Sequence, residues 1–292
     1  SDGQDITILK APNKGQFIRP AGLDFSEGDI GLKAGQRLTP RAIGYAASMN
    51  HPSLAVRRKP RVAILATGDE IVMPGEPIGP NQIVSSNSHA LAAAVQNYGG
   101  EPFSLGIAPD DRQALKAMAE GARGADILLT TGGASVGDHD LVQSVLGEIG
   151  LELDFWKIAM RPGKPLIFGS IGDTRLLGLP GNPVSALVCA LIFLRPAIYR
   201  MLGLAEEGAA ELPAKIDGAL AANDERQDYL RATLRTAEGG GLLASPFERQ
   251  DSSMISLLAQ SEALIVRPPF DPPVAPGDMV RIIPFSSDIH QI

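Results

Sequence analysis

Residues 126–140 read Asp-Ile-Leu-Leu-Thr-Thr-Gly-Gly-Ala-Ser-Val-Gly-Asp-His-Asp, and this stretch decides the fold. Residues 126–131 are predicted to form a β-strand without regular polar alternation, which is typical of a strand covered on both faces. Two glycines end the strand, and residues 140–149 have the apolar spacing of a helix. A buried strand, a glycine-rich turn and a helix together predict one unit of an α/β fold.

The same succession of buried strand and helix continues on both sides of this stretch. Residues 62–67 form an apolar run closed by Gly68, and residues 183–201 form a long apolar helical pattern that begins with proline. The other predicted strands are 102–107, 153–158, 165–168 and 175–179, and the other predicted helices are 86–98 and 110–123. This alternation predicts a three-layer α/β domain with a mostly parallel sheet over residues 60–204.

The flanking segments have different patterns. Glycine and proline punctuate residues 1–59, where the stretches 6–9 and 17–18 predict strands and 39–49 predicts a helix with Thr39 as its N-cap. Residues 205–292 contain five short strand candidates and one or two helical turns at 253–260. We therefore expect an N-terminal segment (1–59) and a small C-terminal β domain (205–292), either a sandwich or a barrel.

Length and composition restrict the class of protein. The chain has 292 residues, of which 44% are hydrophobic, enough for about two domains with real cores. Its 26 basic and 33 acidic side chains give a formal net charge of −7, so we expect no nucleic-acid or membrane partner. The single cysteine, Cys189, excludes an intramolecular disulfide and is expected to be buried and inert. No apolar run approaches the roughly 20 residues of a membrane span, so a cytoplasmic location is expected.

Glycines, prolines and hydroxyl side chains lie where the predicted parallel strands end. In open α/β sheets, ligands bind beyond the carboxyl ends of the strands. The residues in these positions are Thr67, Gly68, Gly132, Gly133, Ser135, Gly137, Pro180 and Pro183. The glycine turn predicts close approach of backbone N–H groups to an anion, and the alternative is that it serves packing alone. Neither a G-x-G-x-x-G nor a Walker pattern is present, which argues against a standard dinucleotide site or P-loop.

Charged side chains occur at the same predicted edge. Glu70, Asp110 and Asp140 each follow a strand, and three carboxylates on one rim can hold Mg²⁺. The alternative is that Asp110 and Asp140 cap helices.

A basic cluster follows further along the chain. Lys157, Arg161 and Lys164 surround a Pro-Gly turn and can hold an oxyanion. The alternative is that they are solvated charges at a strand end.

Five motifs occur in order along the chain. They are Thr67-Gly68-Asp69-Glu70, Ser86-Asn87-Ser88, Thr131-Gly132-Gly133-Ala134-Ser135-Val136-Gly137 with Asp140, Lys157 with Arg161-Pro162-Gly163-Lys164-Pro165, and Leu179-Pro180-Gly181-Asn182-Pro183. With these motifs the chain resembles the MoeA/gephyrin E-domain family, the molybdopterin molybdenumtransferases. The resemblance extends over residues 15–285 and is tightest over 61–202.

This resemblance implies an activity and partners. Members of the family take adenylylated molybdopterin, release AMP with a divalent cation such as Mg²⁺, and insert molybdate at the dithiolene. They are elongated homodimers with a linker domain, a lid-like β domain, a molybdopterin-binding α/β domain and a C-terminal β domain. The resemblance therefore implies that residues 1–59 are part of the linker and lid region. It also implies contact with a molybdopterin adenylyltransferase.

The resemblance further implies roles for individual residues. It implies that Glu70, Asp110 and Asp140 are catalytic and bind the metal, and that Asp24 is catalytic. It implies substrate binding by Thr67, Gly68, Asn87, Gly132, Gly133, Ser135, Gly137, Lys157, Arg161, Lys164, Pro180, Pro183 and Ser252, with Ser253 as the alternative to Ser252. Arg161 stands where several relatives have lysine, which keeps the charge but changes the geometry.

Two other functions fit parts of the pattern. A MogA-type molybdopterin adenylyltransferase shares the α/β domain and the glycine-rich turn. The segment 39–49 and the β domain after Leu204 argue against that single-domain enzyme. A gephyrin-like scaffold without catalysis is the second alternative, and the three acidic positions favour the enzyme over it.

Overall fold

The computed structural model describes residues 3, 7–132, 141–204, 210–237 and 239–285. The chain divides into two compact units, an N-terminal unit that ends at Ala55 and a second unit that begins at Val56. The second unit contains both of the six-stranded sheets among the described residues.

Among its described residues, the N-terminal unit has one helix, α1 (Pro40–Ser48). Its predicted N-cap is confirmed, because the Thr39 hydroxyl oxygen accepts a hydrogen bond from the Ala42 amide at 3.3 Å. The strands predicted at 6–9 and 17–18 are wrong, since the described residues there form bends, turns and irregular chain. Phe17 is 94% exposed and adopts a φ of 63°, a left-handed turn conformation that interrupts a strand.

The strands of the second unit lie in three sheets. In chain order they are β1 (Arg61–Thr67), β2 (Ile71–Val72), β3 (Ile83–Val84), β4 (Glu101–Ala108), β5 (Ile127–Thr131), β6 (Leu151–Trp156), β7 (Met160–Arg161), β8 (Ile167–Ile171), β9 (Thr174–Leu179), β10 (Leu212–Ile216), β11 (Gln227–Thr236), β12 (Leu242–Pro246), β13 (Ala263–Arg267) and β14 (Met279–Pro284). The first large sheet has the order β4-β1-β5-β9-β8-β6, and β2 pairs with β3 beside it. β4, β1, β5 and β9 are parallel, whereas β8 is antiparallel to both neighbours, which confirms a mostly parallel sheet.

Helices cover both faces of this sheet. They are α2 (Asn87–Asn97), α3 (Arg112–Glu120), α4 (Leu141–Glu148), α5 (Pro183–Cys189) with a π-helical turn (Ala190–Leu194), and α6 (Arg195–Met201). Alternate side chains of β1 enter opposite layers. Val62 and Ile64 belong to the core that includes α2 and α5, whereas Ala63 and Leu65 belong to the core that includes α3 and α4. This confirms the three-layer α/β architecture.

The helical segment Pro183–Met201 runs through the first of these cores. It has 19 residues and is apolar enough, by length and composition, to cross a membrane, but half of it is buried within the protein. Cys189 is fully buried there, and burial raises the pKa of its thiol to about 12. The prediction of a buried thiol is therefore confirmed.

The second large sheet forms the C-terminal β domain. Its order is β12-β10-β14-β13-β11-β7, and β12 also pairs with β11, so five of the strands close into a barrel. A short helix, α7 (Ile255–Ala259), follows the loop after β12. The sequence does not distinguish a sandwich from a barrel, and the structure shows the barrel. The sequence also does not predict β7, which extends from the α/β region and pairs in parallel with the start of β11.

Candidate functional site

Four parallel strands end side by side at the edge where the sequence predicts a ligand site. In the register of the sheet, Thr67 of β1 pairs with Ala108 of β4, and Thr131 of β5 pairs with Leu179 of β9. Ala66 pairs with Thr131, so β1 and β5 also end together. The turns that follow β1, β5 and β9 therefore meet at one edge, which we call the carboxyl edge.

Two glycines line the floor of the carboxyl edge, and one of them, Gly132, has no room for a side chain. Gly132 has a φ of 91°, and a Cβ atom there would collide with the carbonyl oxygen of Thr67. A Cβ atom at Gly181 would lie 3.5 Å from the Gly132 Cα atom. Three backbone segments thus approach closely, as a cradle for an anion requires. The other predicted members of this turn, Gly133, Ser135 and Gly137, lie outside the described residues.

Thr67 carries a buried hydroxyl group next to this floor. The residue is 3% exposed, and its Oγ1 atom has no hydrogen-bond partner among the described residues. The Oγ1 atom lies 3.1 Å from the place where a Gly132 Cβ atom would be. A buried hydroxyl group without a hydrogen-bond partner lowers the free energy of unfolding by about 1–3 kcal/mol.

Glu70 lies at the carboxyl edge, where the sequence predicts it. Gly68 has a φ of 129°, and its amide donates a hydrogen bond to the Ala108 carbonyl oxygen at 3.2 Å. A Cβ atom at Gly68 would overlap the Glu70 carboxylate, so this carboxylate lies directly against the glycine backbone. The structure therefore brings Glu70 to the end of β1, close to Thr67.

Asp110 also lies at the carboxyl edge, after β4. Its amide donates a hydrogen bond to Asp69 Oδ1 at 3.0 Å. The N-cap of α3 is Asp111, whose Oδ1 atom accepts a hydrogen bond from the Ala114 amide at 2.8 Å, so the capping role considered for Asp110 is wrong. Asp140 lies outside the described residues. Within the described part of the chain, no group of three or more acidic, histidine or cysteine side chains is arranged to hold a metal.

A small cavity adjoins these acidic residues. Its volume is about 380 Å³, and its lining residues are Gly68, Asp69, Ile71, Met73, Glu76, Ile107 and Pro109. It therefore extends from the end of β1 toward the end of β4.

Asn87 has a structural role that sequence reasoning missed. Its Nδ2 atom donates hydrogen bonds to Thr131 Oγ1 at 2.8 Å and to the Gly181 carbonyl oxygen at 2.7 Å. The amide at the start of α2 therefore ties the end of β5 to the turn formed by residues 180–183, which contains Pro180 and Pro183. Substrate binding by Asn87 stays a prediction.

The C-terminal barrel reaches this turn through Ser252. Asn182 Nδ2 donates to Ser252 Oγ at 2.9 Å, and the Val184 amide donates to the Ser252 carbonyl oxygen at 3.1 Å. Ser253 instead donates its hydroxyl hydrogen to Asp251 Oδ1 at 2.7 Å, which holds the pKa of that carboxyl below its usual range. Of the two serines considered, Ser252 is the one that contacts the turn.

The three cations of the basic cluster differ in their partners. Arg161 forms ion pairs with two carboxylates, whereas Lys157 and Lys164 are exposed. Arg161 donates from Nε to Asp228 Oδ2 and from Nη1 to Asp224 Oδ2, both at 3.0 Å. These carboxylates belong to the C-terminal domain, so Arg161 strengthens the attachment of β7 to that domain. Lys157 is exposed, with its Nζ atom 3.7 Å from the Trp156 ring centroid, and Lys164 is also exposed. Oxyanion binding by the three cations stays a prediction, as does the role of Asp24, which belongs to the N-terminal unit.

Asp224 is expected to titrate far below an ordinary aspartate. Hydrogen bonds from the Arg226 side chain and backbone lower its pKa to about 2. Because the folded-state pKa is depressed, its stabilising contribution is present above about pH 4 and is lost as the pH falls toward 2. A carboxyl-detected NMR titration checks this, and Arg226→Gln should move the midpoint upward toward the ordinary value. An Asp224 midpoint near 4 in the unmodified protein would contradict the observed contacts.

Comparisons with protein families agree with this geometry. A family model described as "Probable molybdopterin binding domain" matches residues 63–200, which contain the parallel sheet and the carboxyl edge. A second model, "MoeA C-terminal region (domain IV)", matches residues 213–285, which contain the barrel.

Individual relatives extend this agreement along the chain. A molybdopterin molybdenumtransferase from Nostoc sp. is 34% identical over 95% of this chain and 65% of the relative. One from Haemophilus influenzae is 33% identical over 96% of this chain and 70% of the relative. The chain thus spans about two thirds of the length of these relatives. A solved MoeA protein from Pyrococcus horikoshii superposes with a TM-score of 0.76 at 30% identity, over 91% of this chain and 64% of that one. The chain belongs to the MoeA family of molybdopterin molybdenumtransferases.

Proposed function

We propose that this chain is the substrate-binding and catalytic part of a molybdenum insertase in molybdenum cofactor biosynthesis. In this proposal, molybdate is transferred to the dithiolene of adenylylated molybdopterin, and AMP is released with the help of Mg²⁺. The names of the relatives support the reaction class. The observation that carries the site is the buried Thr67 hydroxyl, which has no hydrogen-bond partner among the described residues, beside the glycines Gly132 and Gly181.

The carboxyl edge suits the phosphate-bearing part of such a substrate. The floor at Gly132 and Gly181 allows phosphate oxygens to approach backbone atoms that a side chain would otherwise cover. The Thr67 hydroxyl gains a partner when a ligand oxygen or nitrogen lies within hydrogen-bond distance. The helical segment that begins at Pro183 adds positive potential at its N-terminal end.

The carboxylates at this edge fit a hard divalent cation in chemistry. Glu70 and Asp110 follow two paired strands, and carboxylate oxygens are the ligands that Mg²⁺ prefers. We propose that Glu70, Asp110 and Asp140 hold the ion. When bound, Mg²⁺ would neutralise the charge that develops on the phosphoanhydride oxygens. Glu70 itself would fix the position of the ion at the end of β1.

The two exposed lysines are proposed to recruit molybdate. Lys157 and Lys164 lie on one turn, where the Ile158 amide donates to the Lys164 carbonyl oxygen at 3.0 Å. Their ammonium groups attract a small dianion, whereas the Arg161 guanidinium group is already bound to Asp224 and Asp228. We therefore propose that Arg161 does not contact the oxyanion itself. Instead, its ion pairs fix the turn that carries Lys157 and Lys164.

The chemistry of the substrate also implies partners. An adenylylated pterin has to be supplied by an enzyme that transfers AMP, so we propose a molybdopterin adenylyltransferase as the upstream partner. We also propose that the chain works as a homodimer, as the family resemblance implies, and that it is located in the cytoplasm.

Thr67→Val is expected to stabilise the protein and to weaken ligand binding. Valine has nearly the same shape as threonine but removes a buried hydroxyl that has no partner in the described part of the chain, so unfolding should cost about 1 kcal/mol more. The affinity for molybdopterin should fall about tenfold, because one hydrogen bond to the ligand is lost. Urea unfolding and isothermal titration calorimetry measure the two effects.

Thr174→Val is the matched control at the opposite end of β9. The Thr174 hydroxyl donates to the Ala125 carbonyl oxygen at 2.9 Å, so its loss should cost about 1 kcal/mol of stability. Ligand affinity should not change in this variant. A Thr67→Val protein that binds molybdopterin as tightly as the unmodified protein would remove the hydroxyl from the site and would contradict the proposal.

A further inference from the structure

The end of β6 carries a contact between a cation and an aromatic ring that the proposed reaction does not explain. Trp156 is the last residue of β6 and the only tryptophan of the chain. The Lys157 Nζ atom lies 3.7 Å from the centroid of its ring. The negative potential above an aromatic face attracts an ammonium group, and tryptophan gives the strongest attraction of this kind. The ring therefore restricts where the charge of Lys157 can lie.

The backbone conformation of Lys157 makes this contact possible. Consecutive residues of a regular strand point to opposite faces, so a lysine that followed Trp156 in an extended conformation would point away from the indole ring. Lys157 instead has a φ of 71°, a left-handed conformation that residues with a side chain rarely adopt. Its amide donates to the Leu166 carbonyl oxygen at 3.0 Å. The chain therefore turns at Lys157, and the ammonium group returns to the ring of the preceding residue.

The indole ring is itself held in place by packing. The Trp156 side chain packs against the core that includes α3 and α4. In the sheet it pairs with Ile167 of β8, which is fully buried and belongs to the same core. An indole group has two side-chain torsions and is fixed at a low cost in entropy, whereas a lysine side chain is flexible and loses much more. The ring thus provides a rigid support for a flexible cation.

The register of the sheet places this support at the carboxyl edge. Trp156 pairs with Ile167, and Ile167 pairs with Gly178 of β9. Gly178 in turn pairs with Thr130, close to the end of β5. Because β6 and β9 are both antiparallel to β8, they run in the same direction and end at the same edge. Trp156 lies three strands from Thr130, which is about 14 Å at the usual spacing between strands.

A second pair of a cation and a ring lies at the other end of the sheet. The Arg61 Cζ atom is 5.1 Å from the centroid of the Phe103 ring. Arg61 is the first residue of β1, whose last residue is Thr67, so this pair is at the edge opposite to the proposed site. It provides a matched control for the loss of a ring beneath a cation.

We infer that Trp156 is a positioning residue for Lys157, whose ammonium group its ring fixes at the carboxyl edge for contact with a tetrahedral oxyanion. The positioning is a property of the free protein. Its consequence for molybdate rests on the proposed function.

The first test detects the contact without any ligand. A ring current shields protons that lie over an aromatic face, so NMR spectra of lysine-labelled protein should show the Lys157 ε-methylene protons upfield of those of Lys164. The Lys164 ammonium group contacts no ring in the described part of the chain. The upfield shift should be smaller in Trp156→Phe and absent in Trp156→Leu, whereas Phe103→Leu should leave it unchanged. Equal shifts of the two lysines in the unmodified protein would overturn the inference.

The second test asks whether the contact serves oxyanion binding. In molybdate-dependent AMP release, Trp156→Leu should raise the KM for molybdate about fivefold and leave kcat within a factor of about two. Trp156→Phe should restore most of the affinity, because it keeps a ring beneath the ammonium group. The control Phe103→Leu should leave KM unchanged. An unchanged KM in a folded but less stable Trp156→Leu protein would reduce Trp156 to a core residue and contradict the inference.

A double substitution shows whether the effect passes through Lys157. Lys157→Met should raise KM about tenfold, and adding Trp156→Leu should raise it no further. Independent effects, with an increase of about fiftyfold in the double variant, would contradict the positioning. If Trp156→Leu does not fold, Trp156→Phe takes its place and should raise KM about twofold alone but not in the Lys157→Met background. If the unmodified protein releases no AMP, the proposed function fails, while the lysine spectra still decide the positioning.

Discussion

Gly132→Ala is expected to lower the free energy of unfolding by about 2 kcal/mol or more and to abolish pterin binding. A left-handed φ of 91° strains any residue with a side chain, and the added Cβ atom would collide with the Thr67 carbonyl oxygen. Relief of this collision has to move β1 or β5, and both strands end at the proposed site. Urea unfolding and calorimetry with molybdopterin measure the two losses.

Gly147→Ala is the matched control for this substitution. Gly147 lies in α4, where an added Cβ atom meets nothing within 4 Å, so alanine should be neutral or should stabilise by about 0.5–1 kcal/mol. Ligand binding should be unchanged. If Gly132→Ala unfolds at the same urea concentration as the unmodified protein, the space between Gly132 and the Thr67 carbonyl oxygen can accommodate a Cβ atom. That result would contradict the proposed anion cradle.

Glu70→Gln is expected to slow AMP release at least about a hundredfold while leaving substrate affinity within a factor of about three. The substitution keeps the size of the side chain but removes a negative charge that lies against Gly68 at the end of β1. If this carboxylate helps to hold Mg²⁺ at the phosphoanhydride, its loss acts mainly on the transition state, where charge develops. Single-turnover release of AMP, measured at saturating Mg²⁺, gives the rate.

Glu120→Gln controls for the change in net charge. Glu120 is exposed at the end of α3, at a distance in sequence and structure from the carboxyl edge, so its substitution should leave AMP release unchanged. Equal rates for Glu70→Gln and the unmodified protein would show that Glu70 has no part in the reaction.

The sequence predicts those strands and helices whose formation depends on neighbouring residues in the chain. Residues 127–131 are apolar or uncharged throughout and fully buried, which fits a strand with helices on both sides. Thr39 before Pro40 predicts the start of α1 because the hydroxyl oxygen and the fixed proline φ both favour a helix N-terminus. The strands predicted around Phe17 fail because two apolar residues supply a pattern but no pairing partner.

Contacts between distant parts of the chain are not visible in the sequence. Arg161 pairs with Asp224 and Asp228, which follow it by 63 and 67 residues, and no local pattern connects them. The same is true of Asn182 with Ser252, 70 residues later. At the site itself, Asp110 and Asp111 are adjacent and equally suited to cap a helix, so only the geometry shows that Asp111 does so.

In the proposed function, this chain releases AMP from adenylylated molybdopterin and does not add AMP to molybdopterin. The most direct measurement follows AMP and molybdopterin in two parallel reactions, one with adenylylated molybdopterin, molybdate and Mg²⁺, and one with molybdopterin, ATP and Mg²⁺. We expect stoichiometric AMP release that depends on molybdate in the first reaction, and no adenylylated product in the second. Formation of adenylylated molybdopterin from ATP, without AMP release in the first reaction, would identify an adenylyltransferase and contradict the proposed function.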